Sequence, residues 1–237
     1  INEEGMGAVI QPGSGNLIDV DVVAGAAIDY VDIIKNNRLL KRYSQCDFEI
    51  PELGESIRTK LHLELGWGPR KKTQEWEVEF GIRKGKILQV EPRFRGQQVV
   101  SPLEADREND SHHIARVNQR SDTAVNFSAI SGGNPNNFTP NMQGMCLEVE
   151  TSLNDVAYAV INGKTWEWPL SVLIEGARSD LTEGIESPAI RIHRAPKPEE
   201  LNWRCLIEDD SQDGDFYYTR VRQKNEQWAW SSPIFVR

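Results

Sequence analysis

The residues best suited to metal chemistry are two adjacent histidines in a polar stretch of the chain. His112 and His113 follow Asp106, Glu108 and Asp110. Imidazole and carboxylate groups are the ligand types that divalent metals accept in enzymes. A self-sufficient enzyme with a metal site around His112–His113 is therefore one hypothesis for this chain.

The spacing of the histidines argues against that site. The sequence contains no HExxH or HxH pattern, and the two remaining histidines, His62 and His193, are distant from the pair. We therefore predict that the pair lies in a solvated loop. Nucleophile elbows and phosphate-binding glycine loops are also missing, so we expect no catalytic residue, no metal ligand and no cofactor-binding residue in this chain.

An acidic segment near the C-terminus resembles a calcium-binding loop in its first half. Asp209, Ser211, Asp213 and Gly214 stand at the right intervals, but the twelfth position, where a bidentate Glu is required, holds Arg220. A cation there opposes calcium binding. The same residues suit a tight turn between two strands, and we predict such a turn.

Seven tryptophans make a carbohydrate-binding platform a further hypothesis. Indole rings bury large apolar areas, and they can stack on the apolar faces of pyranose rings. The alternative is that these rings fill a hydrophobic core. The candidate platform residues are Trp67, Trp166, Trp168 and Trp228.

Composition excludes several classes of function. A formal net charge of −9 argues against a nucleic-acid partner, which would need clustered Lys and Arg. No apolar run approaches the roughly 18 to 20 residues of a membrane span. Cys46, Cys146 and Cys205 form no CxxC pair, so we expect inert, buried thiols. The compartment in which the protein works is not indicated.

The elements that position these residues are predicted to be β-strands. Apolar and polar residues alternate in LIDVDVV (17–23), KLHLELGW (60–67) and EWEVEFGI (75–82), as in strands with one packed and one solvated face. Asn36-Asn37 and Asn162-Gly163 are hairpin-turn signals. The sequence therefore predicts an all-β fold.

The closing stretch carries a family resemblance. Within FYYTRVRQKNEQWAWSSPIFV (216–236), a Tyr-Tyr-x-Arg-Val strand precedes a polar turn and Ala-Trp-Ser-Ser-Pro-Ile. This pattern resembles the tail of a bacterial family of unknown function whose full-length members carry a PHP-like metal-dependent hydrolase core. Segments 26–40 and 63–68 are similar to two further stretches of that family, although Asn37 replaces its usual Gly and Leu65 its first Trp. The matching residues of the tail are Tyr217, Tyr218, Arg220, Val221, Ala229, Trp230, Ser231, Ser232, Pro233 and Ile234.

The resemblance implies a domain organisation. It places the hydrolase core upstream, and we expect the chain, which starts at Ile1, to be a fragment of a longer protein. It also implies an immunoglobulin-like β-sandwich formed by residues 1–54 and 189–237, with a second β-sandwich domain, 55–188, inserted into it. One continuous large sandwich is the alternative.

The function implied is that of a non-catalytic accessory region. It would pack on the upstream catalytic domain of the same chain or mediate homo-oligomer assembly. The alternative is a carbohydrate-binding module that uses exposed Trp residues. Surface exposure of Trp67, Trp166, Trp168 and Trp228 discriminates between the two, since a buried indole cannot stack on a sugar.

Overall fold

The computed structural model describes residues 1–44, 54–66, 73–95, 115–132, 142–185 and 187–237. In these ranges the backbone is mainly extended, which confirms the all-β class. They contain one α-helix, α1 (Leu170–Glu175), and a 3₁₀ turn at Pro198–Glu200. Among the described residues, no helical stretch has the length and apolar character needed to span a bilayer.

The strands follow one another in chain order. They are β1 (Val9–Ile10), β2 (Gly13–Val23), β3 (Ile28–Lys35), β4 (Arg38–Ser44), β5 (Ser56–Gly66), β6 (Gln74–Ile82), β7 (Lys86–Pro92), β8 (Arg116–Arg120), β9 (Ala124–Ser131), β10 (Gln143–Ser152), β11 (Val156–Ile161), β12 (Lys164–Pro169), β13 (Arg178–Leu181), β14 (Ala189–Ile192), β15 (Asn202–Ser211), β16 (Phe216–Gln223), β17 (Trp228–Trp230) and β18 (Ile234–Val236).

The chain divides into two compact units. The first contains the described residues of Ile1–Ile50 and Pro196–Arg237, and the second contains those of Pro51–Ala195. The sequence assigned residues 189–195 to the first domain, and this assignment is wrong. Strand β14 instead pairs with β5 in the second unit, with Ile192 opposite Leu63.

The first unit is a sandwich of two sheets. One sheet has the order β1-β18-β16-β3-β4, with β17 beside β16, and the other contains β15 and β2. The closing hairpin joins the opening one because β16 pairs antiparallel with β3, from Tyr217–Lys35 to Gln223–Ile28. Alternate residues of each sheet point inward and form one core, since side chains along a strand alternate between faces. This core contains Ile18, Val20, Val31, Ile33, Tyr217, Ile234 and Val236.

Two asparagines close the hairpin between β3 and β4. Asn36 and Asn37 have φ angles of 50° and 61°, the left-handed conformation that a tight hairpin turn requires and that Asn tolerates. The side chain of Asn36 also accepts a hydrogen bond from the Phe216 backbone N–H at 3.0 Å. The turn predicted from the sequence therefore also connects the hairpin to β16 through a hydrogen bond.

The second unit is also built from two facing sheets. Their orders are β13-β14-β5-β10-β7 and β12-β11-β6-β9-β8. Leu61, Leu63 and Leu65 of β5 are buried in its core, so Lys60, His62 and Glu64 must lie on the outer face of their sheet. In the adjacent strand, both faces are buried from Gln143 to Val149. Lys60, His62 and Glu64, on the outer face of β5, therefore lie beside residues of β10 that are buried on both faces.

Candidate functional site

The predicted tryptophan platform is not one surface. Trp67 lies outside the described residues. Trp166 is buried in the second unit, where its Nε1 donates a hydrogen bond to Asp180 Oδ2 at 2.9 Å. Trp168 is partly buried against the same core. Trp166 is therefore a packing residue and not a platform, because alternation in β12 puts its ring on the inward face.

Two other rings, on β17, do reach the surface. The side chains of Trp228 and Trp230 are 41% and 60% exposed. Their rings stack nearly parallel, with centroids 5.7 Å apart and an interplanar angle of 14°. Trp228 is one of the four predicted platform residues, whereas the sequence reasoning did not choose Trp230 for the platform.

Neighbouring side chains hold the Trp228 ring in place. The guanidinium carbons of Arg220 and Arg222 lie 5.5 Å from its ring centroid, a distance typical of cation–π contacts. Tyr30 meets the same ring edge-on at 5.9 Å. Register explains the arrangement, because Arg220 pairs with Trp230 and Arg222 with Trp228 across the β16–β17 hairpin. Arg222 also pairs with Tyr30 across β16 and β3, so all five side chains share one face of the sheet.

A buried carboxylate anchors this face. Asp32 is fully buried and accepts hydrogen bonds from Arg42 at 2.6 and 2.9 Å and from Arg220 at 2.6 and 3.1 Å. Burial alone would raise the pKa of Asp32, but the bonds from the two guanidinium groups outweigh it and hold the pKa below its usual value. Arg220 is thus fixed between Asp32 and the Trp228 ring.

A cleft of about 490 Å³ opens beside Trp230 in the first unit. Its lining includes core-facing residues of both sheets, such as Val20 and Ile33, so the cleft lies on the side of β17 opposite to the Trp230 ring. Met6 and Val23 are 72% and 82% exposed, so the rim of the cleft presents apolar surface to solvent. Among the lining residues are Glu4, Met6, Asp19, Asp21, Val23, Thr219, Trp230, Ser231 and Ser232.

The two aspartates of β2 differ in their state of pairing. Asp19 forms an exposed ion pair with Arg204, and the hydrogen bond from Arg204 is the main cause that lowers its pKa. Asp21 faces Arg204 in the register of β2 and β15, but its carboxylate has no ion pair among those found in the described residues. Alternation in β2 places both carboxylates on its outer face, opposite to the buried Ile18 and Val20, so neither points toward the core side of the cleft.

A second cluster lies in the second unit, and the sequence reasoning missed it. His62 and Glu64 lie two residues apart on the outer face of β5, and His193 follows β14 directly. The His193 backbone N–H donates to the His62 carbonyl at 2.9 Å, which brings the two rings into register. The rings stack with centroids 4.4 Å apart and an angle of 8°, and His193 Nε2 lies 2.7 Å from Glu64 Oε2.

Two ring nitrogens of this cluster are buried without a hydrogen-bond partner in the described part of the chain, and of these His193 Nε2 still has its ion-pair contact with Glu64. His62 Nε2 is buried and forms no hydrogen bond there. Burial lowers the pKa of His62 to about 3, so the ring is neutral at pH 7. For Glu64, burial would raise the pKa, but the close contact with His193 outweighs it and lowers the pKa, so this carboxylate is ionised.

The other sequence predictions have separate outcomes. His112 and His113 lie outside the described residues, as does Cys46. The segment predicted as a tight turn after β15 is one, with Gly214 at φ 88° and the Gln212 N–H bonded to Asp215 Oδ2 at 2.8 Å. Burial raises the pKa of Cys146 and of Cys205 to about 11, which leaves both thiols protonated and weakly nucleophilic.

Comparison of the chain with protein-family models, curated proteins and solved structures finds no match. The resemblance to the PHP-like hydrolase family therefore has no support beyond its own motifs.

Proposed function

We propose that this chain is a non-catalytic binding region whose first unit binds a carbohydrate on the exposed indoles of Trp228 and Trp230. The observation that carries the proposal is the stacking and exposure of these two rings on the face of the sheet that also carries Arg220 and Arg222. Small-molecule sites combine apolar and aromatic walls with a few polar groups in this way.

The exposed indole pair suits a sugar ring. The apolar C–H face of a pyranose can pack on the Trp230 indole, whose second face is covered by Trp228. The guanidinium groups of Arg220 and Arg222 lie on the same face of the sheet and can donate hydrogen bonds to ring hydroxyls.

Rigidity of the aromatic wall favours binding. Trp228 is held by Arg220 and Arg222, and Arg220 is held by the buried Asp32. Immobilising a flexible side chain on binding costs roughly 0.5–1.5 kcal/mol. Side chains that are ordered before the ligand arrives avoid most of that cost, so stacking on Trp230 contributes more fully to affinity.

A wider role as an accessory region of a PHP-type hydrolase remains a proposal that rests on the motifs of the opening and closing hairpins. A carbohydrate site would be compatible with it, because an accessory domain that binds a sugar polymer can hold a catalytic partner near its substrate. Packing on an upstream catalytic domain, or assembly into a homo-oligomer, belongs to the same proposal.

A glycan array followed by calorimetric titration tests the binding proposal. We expect the full chain to bind one class of glycan and Trp230→Ala to weaken that binding about tenfold, since loss of one aromatic stacking partner costs about 1.5 kcal/mol. Phe235→Ala is the matched control, because Phe235 is an exposed aromatic residue of the same unit that is not part of the stacked indole pair. No binding to any glycan, or equal binding by Trp230→Ala, would refute the proposal.

A further inference from the structure

We infer that His62, Glu64 and His193 form a binding site for a divalent transition-metal ion, with Zn²⁺ as the best-matched ion. The ligand atoms of these three side chains all lie within 4.8 Å of one another. Two imidazoles and one carboxylate are a ligand set that zinc accepts, and three protein ligands leave one position for water or an external group. The site lies in the second unit and is independent of the proposed carbohydrate site on Trp228 and Trp230.

The unpartnered nitrogen of His62 is the observation that favours a ligand over simple packing. Buried polar atoms are nearly always hydrogen-bonded, and leaving one unpaired costs about 1–3 kcal/mol. His62 Nε2 is buried and has no hydrogen bond within the described part of the chain. A metal ion that accepts its lone pair would remove that cost.

Space for an ion exists because the adjacent strand has a glycine at this point. Gly144 of β10 lies opposite Glu64, and a Cβ atom placed there would lie 3.1 Å from His62 Nε2. Any other residue at 144 would therefore crowd the nitrogen. Partial exposure of His193 and Glu64, whose side chains are 23% and 16% accessible, provides a route for an ion from solvent.

The three side chains need a small rearrangement to coordinate one ion. Ligand atoms bound to one tetrahedral ion at about 2.1 Å lie about 3.4 Å apart, so the cluster must contract. The two rings are also nearly parallel, and one ion cannot lie in both ring planes. Rotation of His193 about its Cβ–Cγ bond would take its ring out of the stacked plane and exchange the contact with Glu64 for a shared contact with the ion.

The surrounding charges limit the affinity. Arg93 and Arg191 are close enough to act electrostatically on His62 and Glu64, and positive charge opposes the binding of a cation. Arg93 is partly neutralised by Glu91, at 3.3 Å. We therefore expect weaker binding than that of structural zinc sites, whose ligands include thiolates.

The test measures metal binding directly on the full chain without an affinity tag that contains histidine. Protein stripped with EDTA is dialysed against ZnCl₂, bound zinc is quantified by mass spectrometry, and Co²⁺ is titrated as a spectroscopic probe. We expect one equivalent of zinc and the visible absorption of Co²⁺ in a low-coordinate nitrogen–oxygen site. Loss of a partner that only orients a metal ligand costs roughly 10–100-fold in affinity, so Glu64→Gln and His62→Ala should each cost at least tenfold.

Three variants make the outcome decisive. Gly144→Ala keeps all three ligands but fills the space in front of His62 Nε2, and it should also weaken zinc binding at least tenfold. The double variant His112→Ala/His113→Ala should bind zinc normally, as should Glu77→Gln, which changes an exposed carboxylate on β6. Circular dichroism verifies that each variant is folded. The inference is overturned if the wild type binds no zinc, or if zinc binding is unchanged in Glu64→Gln and His62→Ala; loss of binding in the double variant would then assign the zinc to His112 and His113.

Discussion

Asp32 provides the sharpest test of how the first unit is held together. Its side chain is fully buried and receives four hydrogen bonds from Arg42 and Arg220. Asp32→Asn keeps the shape of the side chain but removes its charge and turns an amide N–H₂ group toward the guanidinium groups. The ion cluster that joins β4, β3 and β16 is therefore broken.

The cost can be bounded from the structure. Removing one partner of a buried ion pair costs about 3–5 kcal/mol. The side chains of Arg42 and Arg220 are 43% and 33% exposed, so water can solvate them once Asp32 is neutralised. We therefore expect a loss of about 2–3 kcal/mol in the free energy of unfolding of the first unit, which corresponds to about 30–150-fold in its equilibrium constant.

Hydrogen exchange read by mass spectrometry isolates the affected unit. Amides of β3 and β16 should exchange about 30–150-fold faster in Asp32→Asn, while those of β5 in the second unit should be unchanged. The matched control is Asp29→Asn, which removes a 3.4 Å ion pair with Arg222 between side chains 36% and 35% exposed. Exposed pairs contribute about 0–1 kcal/mol, so the control should exchange nearly as the wild type does.

The pH dependence of this difference has a definite sign. The pKa of Asp32 is lowered in the folded state, so its ion cluster stabilises the protein at pH values above the unfolded pKa of about 3.9. That contribution is lost as the pH falls through the folded pKa. The difference in exchange rate between the wild type and Asp32→Asn should therefore be largest at neutral pH and should disappear in acid. Equal exchange of the two proteins at neutral pH, or a difference in acid as large as the one at neutral pH, would refute the reasoning.

Two further changes test the second unit. Gly81→Ala should prevent correct folding, because the added Cβ would lie 2.1 Å from the Thr123 carbonyl oxygen, a backbone atom that cannot move aside. Circular dichroism and soluble yield report the folding of this variant, and a native-like spectrum would contradict the prediction. Asp155→Asn should lower the free energy of unfolding by about 2–3 kcal/mol, since the buried carboxylate accepts bonds from Thr151 at 2.6 Å and from the Gly85 N–H at 2.8 Å. Burial would raise the pKa of Asp155, but these bonds outweigh it and lower the pKa. Urea unfolding should therefore show this difference at neutral pH and its loss in acid, and a difference independent of pH would contradict the assignment.

The proposed sites differ in how far the sequence could indicate them. Alternation in WAW places Trp228 and Trp230 on one face of a strand, and the same rule places Trp166 and Trp168 on one face of another. Alternation cannot tell which face is covered. Trp166 is buried because the facing sheet of the second unit covers its side of β12. Trp230 is exposed because its ring points away from the other sheet of the first unit.

The metal cluster depended still more on tertiary structure. His62 lies in a strand whose alternation is clear from the sequence, and His193 follows a short apolar run. The two histidines are far apart along the chain, so spacing motifs, which detect ligands on one local element, do not register them. Only the pairing of β14 with β5 brings them together. The available signal was the position of His62 and Glu64 on the polar face of one strand.

By itself, the sequence determined the local structure of this protein. Side-chain alternation defined the strands, and Asn36-Asn37 and Asn162-Gly163 marked tight turns, because strand periodicity and positive φ angles are properties of a few neighbouring residues. Tertiary structure alone decided which strands became neighbours, which sheet faces were covered, and hence which indoles and imidazoles could meet a ligand. Those outcomes depend on burial and on contacts between distant segments, and no short stretch of the chain contains that information.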